Sequence, residues 1–272
     1  MPANFLGRKA GYVNTGVWAK KAIKEAKRYG EVEVLASSED RNFTYIPKGF
    51  AIPADLDYVH ITSNNTIYGT EYHEDLSSPV PLIADMSSDI LSRPVDVSKY
   101  AMIYGGAQKN VAPAGLTIVI VRKDLIGNAR DITPAMLDYK NMADSGSMYN
   151  TPPCWSIYMC KLMLEWIEKL GGLEEMKKRN EAKAKILYDF IDSSKLFSNP
   201  VRPCDRSMMN VTFVTGSDEL NAKFVAEAAE AGFVNLKGHR SVGGMRASIY
   251  NAMPIEGVEQ LVDFMKEFEK NN

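Results

Sequence analysis

Two strand ends in the sequence carry side chains that could do chemistry. The run PLIAD delivers Asp85 just past a buried strand, and the run AMIYGGAQK delivers Lys109 just past another. Ligands of open α/β sheets bind outside the carboxyl ends of the strands, so this carboxylate and this amine could face one crevice. The competing interpretation is a solvated loop lysine and an aspartate that caps a helix. The pattern alone favours that second interpretation.

The residues around Lys109 do not form a phosphate loop for nucleotides. The run GGAQKN has no glycine directly before Lys109, and Asn110 follows it where such a loop needs serine or threonine. A second set of basic residues lies near the C-terminus and is interleaved with glycines: Lys237, His239, Arg240 and Arg246. From its composition this set is a basic surface loop, with an anion-binding site as the alternative.

Short apolar runs, rich in β-branched residues and bounded by glycine, proline, asparagine or serine, predict strands in the first half of the chain. They cover residues 10–13, 31–36, 58–62, 81–84, 101–104 and 116–121. Several are apolar throughout, which is typical of a sheet buried on both faces. A helix is predicted over residues 16–26, after the first strand. The predicted fold class is therefore α/β, with a mainly parallel sheet.

The pattern changes from residue 155. A strong helical pattern over residues 155–170 is closed by Gly171 and Gly172, in the position where glycine ends helices well. Later elements are helices over residues 173–191, 219–230 and 255–270 and strands over 209–214 and 233–236. We place a domain boundary near residue 168. It divides the chain into a larger domain over residues 1–168 and a smaller one over 169–272.

The composition argues against several classes of partner. The chain of 272 residues has a formal net charge of -2, so nothing in it favours binding to nucleic acid or to an anionic membrane. No apolar run approaches the ~18 residues needed to span a bilayer, and the N-terminus lacks the apolar core of a signal peptide. Three cysteines without CxxC spacing and three scattered histidines predict neither a disulfide framework nor a metal site. A reducing, cytoplasmic environment fits this cysteine usage best.

Four stretches of the sequence resemble phosphoserine aminotransferases. They are ADMSSDILSRPVDVSKY, YGGAQKN with the following APAGLTIVIVR, GSMYNTPP, and KGHRSVGGMRASIYNAMP. The similarity runs from about residue 10 to the C-terminus. It implies a fold-type I pyridoxal-phosphate enzyme that forms homodimers, with a large cofactor domain and a small C-terminal domain. The implied reaction converts 3-phosphohydroxypyruvate and glutamate to phosphoserine and 2-oxoglutarate in serine biosynthesis. Action on a related phosphohydroxythreonine in pyridoxine synthesis is also implied.

The resemblance assigns three residues to the cofactor ring. Lys109 corresponds to the lysine whose amine forms an imine with the cofactor aldehyde and then shuttles a proton at the substrate α-carbon. Asp85 corresponds to the carboxylate that faces the pyridine nitrogen and keeps it protonated. Trp18 corresponds to the tryptophan that stacks on the ring. From its spacing alone, Trp18 is a core residue of the first helix.

Further residues match positions around the cofactor and the substrate. Thr66 corresponds to a hydroxyl that contacts the cofactor and Gln108 to a contact of its phosphate. Asn150 and Thr151 correspond to residues that reach the cofactor phosphate of the neighbouring subunit, so the active sites would be shared in the dimer. Arg246 corresponds to the clamp on the substrate α-carboxylate. His239 and Arg240 correspond to ligands of the substrate phosphate, and the same pocket would take the side-chain carboxylate of glutamate.

The family's chain begins earlier than this one. The resemblance therefore implies that a glycine-rich loop that holds the cofactor phosphate is missing here, as is an early segment that serves the partner's substrate pocket. For that reason we expect weak or no transaminase activity from this chain. One alternative is a fold-type I enzyme for a phosphate-free amino acid, and another is an inactive remnant that binds cofactor or dimerises only. The intact Lys109, Asp85 and Arg246 favour an enzyme.

Overall fold

The computed structural model describes residues 1–272 as an α/β protein. The strands are β1 (Lys9–Asn14), β2 (Glu31–Ser37), β3 (Val59–Thr62), β4 (Asn64–Asn65), β5 (Thr70–Glu71), β6 (Leu82–Asp85), β7 (Met102–Gly106), β8 (Thr117–Val121), β9 (Asn210–Phe213) and β10 (Met245–Ser248). The helices are α1 (Pro2–Phe5), α2 (Val17–Ala26), α3 (Tyr139–Asp144), α4 (Cys154–Lys169), α5 (Gly172–Ser193), α6 (Asp218–Glu230) and α7 (Ile255–Lys270). Single 3-10 turns cover Glu39–Arg41, Val97–Lys99, Lys123–Leu125, Ala135–Leu137 and Pro203–Asp205. No helix combines the length and the apolar character needed to cross a membrane.

Six strands form the central sheet, in the order β2-β1-β3-β6-β7-β8. Its neighbouring strands run parallel, except that β8 pairs antiparallel with β7. Every residue of β3 is buried, whereas β2 and β8 at the two edges are only partly buried. The predicted burial on both faces is therefore right for the central strands and wrong for these two, because an edge strand lacks a neighbour on one side.

The C-terminal part of the chain builds a second core around an antiparallel pair, β9 and β10. Apolar side chains of α5, α6 and α7 pack against these strands in a cluster of 19 buried residues. At its centre the Phe224 ring packs edge-on against Phe213 and Phe268, with centroids 5.8 and 5.1 Å away. Such edge-to-face pairs are a favoured aromatic geometry. This core thus rests on side chains from several elements that are distant in sequence.

Most predicted elements are present, but the strand expected over residues 233–236 is wrong. Leu236 is buried in the second core without strand pairing, and the only bridge nearby joins Lys237 to Met245. The strand that pairs with β9 is β10, which the sequence analysis did not identify. Its side chains alternate between buried and half-buried, with Met245 and Ala247 facing the core. A four-residue strand that contains an arginine gives too weak an apolar signal to stand out.

Polar side chains join the two cores. Asn64 donates from Nδ2 to Oδ1 of Asn210 over 2.8 Å, and the backbone N–H of Met208 donates to Oε2 of Glu71 over 2.8 Å. Gly69 lies against the same strand, where an added Cβ would be 2.9 Å from the carbonyl oxygen of Asn210. The predicted domain boundary near residue 168 falls at the end of α4, so these contacts join residues on its two sides. The boundary itself stays a prediction.

Candidate active site

A cavity of about 800 Å³ lies beyond the carboxyl ends of the parallel strands. Five of the residues proposed from the sequence line it: Trp18, Thr66, Lys109, His239 and Arg246. Trp18, Thr66 and Lys109 come after β1, β3 and β7 in the chain. His239 and Arg246 belong to the C-terminal part of the chain that builds the second core. Pockets of this size hold small organic ligands and cofactors. The crevice expected at the strand ends is therefore present, and residues of both cores form its walls.

Lys109 projects into the cavity as a half-buried amine. Its Nζ donates to Oγ1 of Thr66 over 2.8 Å. Burial lowers the pKa of Lys109, although the charge of Asp85 opposes this and the charge of Arg246 adds to it. A depressed pKa increases the fraction of neutral amine, which is the nucleophilic form. The interpretation of Lys109 as a solvated loop lysine is therefore wrong.

Asp85 is the last residue of β6 rather than the residue after it. Its Oδ1 accepts hydrogen bonds from the backbone N–H of Ser87 over 2.9 Å and from the Ser87 hydroxyl over 2.6 Å. This turn fixes the carboxylate, and Asp85 is not a lining residue of the cavity. The carboxylate therefore stabilises the turn that follows β6, and no helix begins there for Asp85 to cap.

Trp18 lies at the start of α2 and lines the cavity. Its side chain is 43% exposed, so it is not the core residue that its spacing indicated. The Nζ of Lys109 lies 5.9 Å from the centroid of the indole ring, and the Nζ of Lys21 lies 4.4 Å from it. A large exposed indole beside a reactive amine offers a flat surface to a ring-shaped ligand.

Arg246 projects from β10 and reaches across to the first core. Its Nη1 donates to the carbonyl oxygen of Thr66 over 3.2 Å, and its Nε is buried without a hydrogen-bond partner. A buried guanidinium with an unused donor is costly unless a ligand completes its hydrogen bonds. The free donor therefore indicates a place for an anionic group beside Lys109.

A glycine-rich turn shapes the loop before β10. The backbone N–H of Gly238 donates to the carbonyl oxygen of Gly244 over 2.8 Å, and a Cβ on Gly238 would lie 2.0 Å from the carbonyl oxygen of Gly243. Only glycine fits such a close approach. The turn presents His239 to the cavity, where its Nδ1 lies 2.7 Å from the Ser241 hydroxyl.

Four other proposed residues do not line the cavity. Gln108 and Arg240 are exposed. Asn150 and Thr151 are exposed in the segment before α4, where Nδ2 of Asn150 donates to the carbonyl oxygen of Thr151 over 3.2 Å. Within this single chain the structure therefore does not bring these four side chains to Lys109.

Two residues of the site were missed in the sequence analysis. Ser87 holds Asp85, and its position two residues after an aspartate is a pattern typical of local side-chain-to-backbone turns, so the signal was available. Tyr104 lies beside Asp85 on β7. No sequence pattern distinguishes it from an ordinary strand tyrosine, because the pairing register of the two strands is a tertiary property.

Comparison with known proteins assigns the family. The family model for class-V aminotransferases matches residues 6–261. A phosphoserine aminotransferase of Phocaeicola vulgatus is 58% identical over 273 residues, which cover 99% of this chain and 77% of that protein. The chain belongs to the phosphoserine aminotransferase family.

Solved structures of the phosphoserine aminotransferase family agree with this assignment. The phosphoserine aminotransferase from Bacillus circulans subsp. alkalophilus superposes with a TM-score of 0.97 at 48% identity, covering 99% of this chain and 76% of that one. The phosphoserine aminotransferase from Trichomonas vaginalis, solved with PLP bound, gives a TM-score of 0.92 at 38% identity, covering 97% and 77%. The expected fold and the expected family are therefore confirmed, and the chain is an aminotransferase.

The cofactor of the chain is pyridoxal phosphate, as the resemblance implied. The residues present fit it, because the cavity offers an amine of lowered pKa at Lys109, a flat indole at Trp18 and an unused buried donor on Arg246. Asp85 supplies a carboxylate that is fixed by Ser87 and whose charge acts on the Lys109 amine. The cofactor aldehyde matches Lys109, its aromatic ring matches Trp18 and its ring nitrogen matches Asp85, while an anionic substrate matches Arg246.

Proposed function

We propose that the chain transfers an amino group between glutamate and 3-phosphohydroxypyruvate, giving 2-oxoglutarate and phosphoserine. The observation that carries the proposal is the half-buried amine of Lys109, which opens into one cavity with the free donor of Arg246 and with His239. That arrangement puts a nucleophilic amine next to cationic groups for a substrate with several negative charges. The reaction would belong to serine biosynthesis, and phosphohydroxythreonine is a second substrate of the same class.

Each residue around the cofactor has a role that follows from its chemistry. Pyridoxal phosphate supplies the electron sink for the carbanion that forms at the substrate α-carbon. Lys109 binds the cofactor aldehyde and then moves a proton to and from that carbon. Asp85 would keep the ring nitrogen of the bound cofactor protonated, and the indole of Trp18 would stack on its ring. Thr66 orients Lys109 through the hydrogen bond of 2.8 Å. Gln108 is exposed outside the cavity, so its side chain would have to turn inward to contact the cofactor phosphate.

Substrate recognition belongs to the second core. Arg246 takes the α-carboxylate, since a planar guanidinium can bind it with two parallel hydrogen bonds. His239 and Arg240 take the substrate phosphate or the side-chain carboxylate of glutamate. Because Arg240 is exposed outside the cavity, its loop must turn inward when a substrate binds. In this proposal residues 1–168 form the cofactor domain and residues 169–272 the small domain.

We also propose a homodimer with shared active sites in the cytoplasm. Asn150 and Thr151 are exposed and do not reach the cavity of their own chain, so they are available to a cofactor phosphate in a neighbouring subunit. The next helix, α4, exposes Trp155 and Tyr158, at 65% and 51% of their surface. Large exposed aromatic side chains beside the proposed shared residues support an interface there.

The test begins with the visible absorption of the chain after addition of pyridoxal phosphate. Borohydride reduction followed by peptide mapping should locate the cofactor on Lys109, and Lys109→Ala should abolish this attachment. Lys21→Ala is the matched control, because Lys21 lies near Trp18 but does not line the cavity. Attachment at another lysine would contradict the proposal.

Addition of phosphoserine should then change the spectrum and release 3-phosphohydroxypyruvate, detected by mass spectrometry. His239→Ala and Arg240→Ala should weaken the response to phosphoserine more than the response to glutamate or alanine. An equal loss for all three amino acids would favour a phosphate-free substrate instead. A chain that binds the cofactor on Lys109 but transfers no amino group would be a binding remnant rather than an enzyme.

A further inference from the structure

A row of polar and aromatic side chains crosses one face of the central sheet and ends at Asp85. Asp85 pairs in register with Tyr104 on β7, and Ile83, two residues before it, pairs with His60 on β3. Side chains alternate between the faces of a sheet, so Asp85, Tyr104 and His60 project from the same face. This face packs against α2, whose Ile23 shares a core cluster with Ile83.

Four members of this row, the side chains of Tyr104, His60, Tyr12 and Tyr58, contact one another directly. The Nε2 of His60 lies 2.9 Å from the hydroxyl of Tyr104. The fully buried His60 ring stacks on Tyr12 with centroids 4.9 Å apart and planes at 26°. The hydroxyl of Tyr12 in turn lies 2.8 Å from that of Tyr58. His60 is therefore fixed in its plane, and it presents one ring nitrogen to Tyr104.

The protonation states in this row follow from burial. Burial lowers the pKa of His60 to about 4, so the imidazole is neutral at pH 7 and carries one proton. Burial, and next the charge of Asp85, raise the pKa of Tyr104, so its hydroxyl keeps its hydrogen. The chain therefore has a neutral donor pair packed against one carboxylate.

The unpaired nitrogen of His60 decides the direction of the hydrogen bonds. Nδ1 is buried without a partner. A buried N–H without an acceptor is rarer in proteins than a buried acceptor without a donor, so the proton belongs on Nε2. Nε2 then donates to the oxygen of Tyr104, and the hydrogen of Tyr104 is free for Asp85, the anion whose charge acts on that hydroxyl.

We propose that Tyr104, oriented by His60, is a positioning residue that donates its hydroxyl hydrogen to Asp85 and turns that carboxylate toward the ring nitrogen of the cofactor. Ser87 already holds Oδ1 of Asp85 through two hydrogen bonds. A donor on the Tyr104 side fixes the second oxygen, so the carboxylate cannot rotate. The inference rests on the proposed role of Asp85 and adds to it a support that reaches deep into the sheet.

The first experiment needs no cofactor. The chain has three histidines, so its ¹⁵N-histidine spectrum is simple enough to assign each ring. We expect His60 to be neutral at pH 7, with its proton on Nε2, and to lose this signal only as the pH approaches about 4. Tyr104→Phe should shift the Nε2 signal of His60 and leave that of His239 in place. A proton on Nδ1, or titration near pH 6.5 as in an exposed histidine, would overturn the inference.

The second experiment measures the cofactor itself. Ring-¹⁵N-labelled pyridoxal phosphate reports the contact of the ring nitrogen, and its dissociation constant reports the strength of binding. Tyr104→Phe should weaken binding about tenfold, as for the loss of one charge-assisted hydrogen bond, and should move the ring signal toward that of Asp85→Asn. His60→Leu should act in the same direction. His60→Gln keeps an N–H near the position of Nε2 and should act less.

Tyr58→Phe is the matched control, since it removes a buried hydroxyl from the same row that bonds to Tyr12 and not to Asp85. If Asp85→Asn changes the ring signal and Tyr104→Phe does not, the positioning role is wrong and the proposed function stands. If Asp85→Asn changes nothing, the proposed role of Asp85 fails. Equal effects from Tyr58→Phe would mean general loss of packing and would also overturn the inference. If the Tyr104→Phe variant does not fold, the tautomer of His60 in the unchanged protein still tests the inference.

Discussion

Thr66 holds Lys109 with its side chain and Arg246 with its backbone. The Lys109 amine donates to Oγ1 of Thr66 over 2.8 Å, and Nη1 of Arg246 donates to the carbonyl oxygen of the same residue over 3.2 Å. The short turn between β4 and β5 thus sets the distance between the proposed catalytic amine and the proposed carboxylate clamp. Thr66 lies 43 positions from Lys109 and 180 positions from Arg246 in the chain.

Thr66→Val should change the reactivity of Lys109. The substitution keeps the shape of the side chain but removes the acceptor that stabilises the charged amine, so the pKa of Lys109 should fall further below its ordinary value. The rate of pyridoxal phosphate capture, followed by visible absorbance, should then reach half its maximum at a lower pH. Thr66→Ser keeps the hydroxyl and should follow the unchanged protein. An unshifted profile for Thr66→Val would show that the hydrogen bond has no effect on the amine.

Arg246→Lys should weaken substrate binding while leaving cofactor binding intact. An ammonium cannot form the two parallel hydrogen bonds that a guanidinium offers to a carboxylate, so the dissociation constant for phosphoserine should rise about tenfold or more. The constant can be measured from the spectral change of the bound cofactor. Arg179→Lys, on the exposed surface of α5, is the control. Equal affinity in the two variants would remove Arg246 from the substrate site.

Glu71→Gln should make the fold more stable at alkaline pH. Burial raises the pKa of Glu71, and Met208 and Arg93 only partly offset this. The unfolded chain releases the Glu71 proton as the pH rises above the ordinary pKa of 4.5, whereas the folded state, with its raised pKa, still holds that proton. The unfolding free energy of the natural chain should therefore fall as the pH rises from about 4.5 to 7, by about 1 to 3 kcal/mol.

The glutamine cannot titrate and still accepts the hydrogen bond of Met208, so its variant should escape this loss. Urea unfolding at pH 5 and pH 8 tests the difference. Glu74→Gln, at an exposed position nearby, should behave as the natural chain does. A parallel pH dependence for Glu71→Gln and the natural chain would show that Glu71 titrates normally.

Gly69→Ala should weaken the contact between the two cores. Gly69 has φ of +76°, and a Cβ there would lie 2.9 Å from the carbonyl oxygen of Asn210. Gly49 has a similar φ of +72° but open space around it, so Gly49→Ala measures the backbone strain alone. We expect about 1 kcal/mol of lost stability for Gly49→Ala and about 3 kcal/mol or more for Gly69→Ala. If urea unfolding gave the same loss of stability for Gly69→Ala and Gly49→Ala, the backbone of β9 would have shifted to make room for the added Cβ at no cost.

Local pattern accounts for what the sequence determined. Apolar β-branched runs between turn residues predicted the central strands. The strand-end rule raised a shared crevice for Asp85 and Lys109 only as the less favoured interpretation, and the structure places Lys109 but not Asp85 in the lining of the cavity. Gly171 marked the end of α4 correctly, and its φ is +104°. The resemblance in four motifs identified the family and its cofactor. Each of these signals lies within some twenty consecutive residues, where spacing and residue type are sufficient.

Tertiary structure decided the contacts between distant segments. The meeting of Thr66 with Arg246 depends on how two cores dock, and the contact of His60 with Tyr104 depends on which strands pair and in which register. The burial of Leu236 without a strand, and the pairing of β10 in its place, were settled by which backbone could reach β9. Hydrogen bonding between strands and packing between cores join residues far apart in the chain, and the spacing within any single segment does not record them.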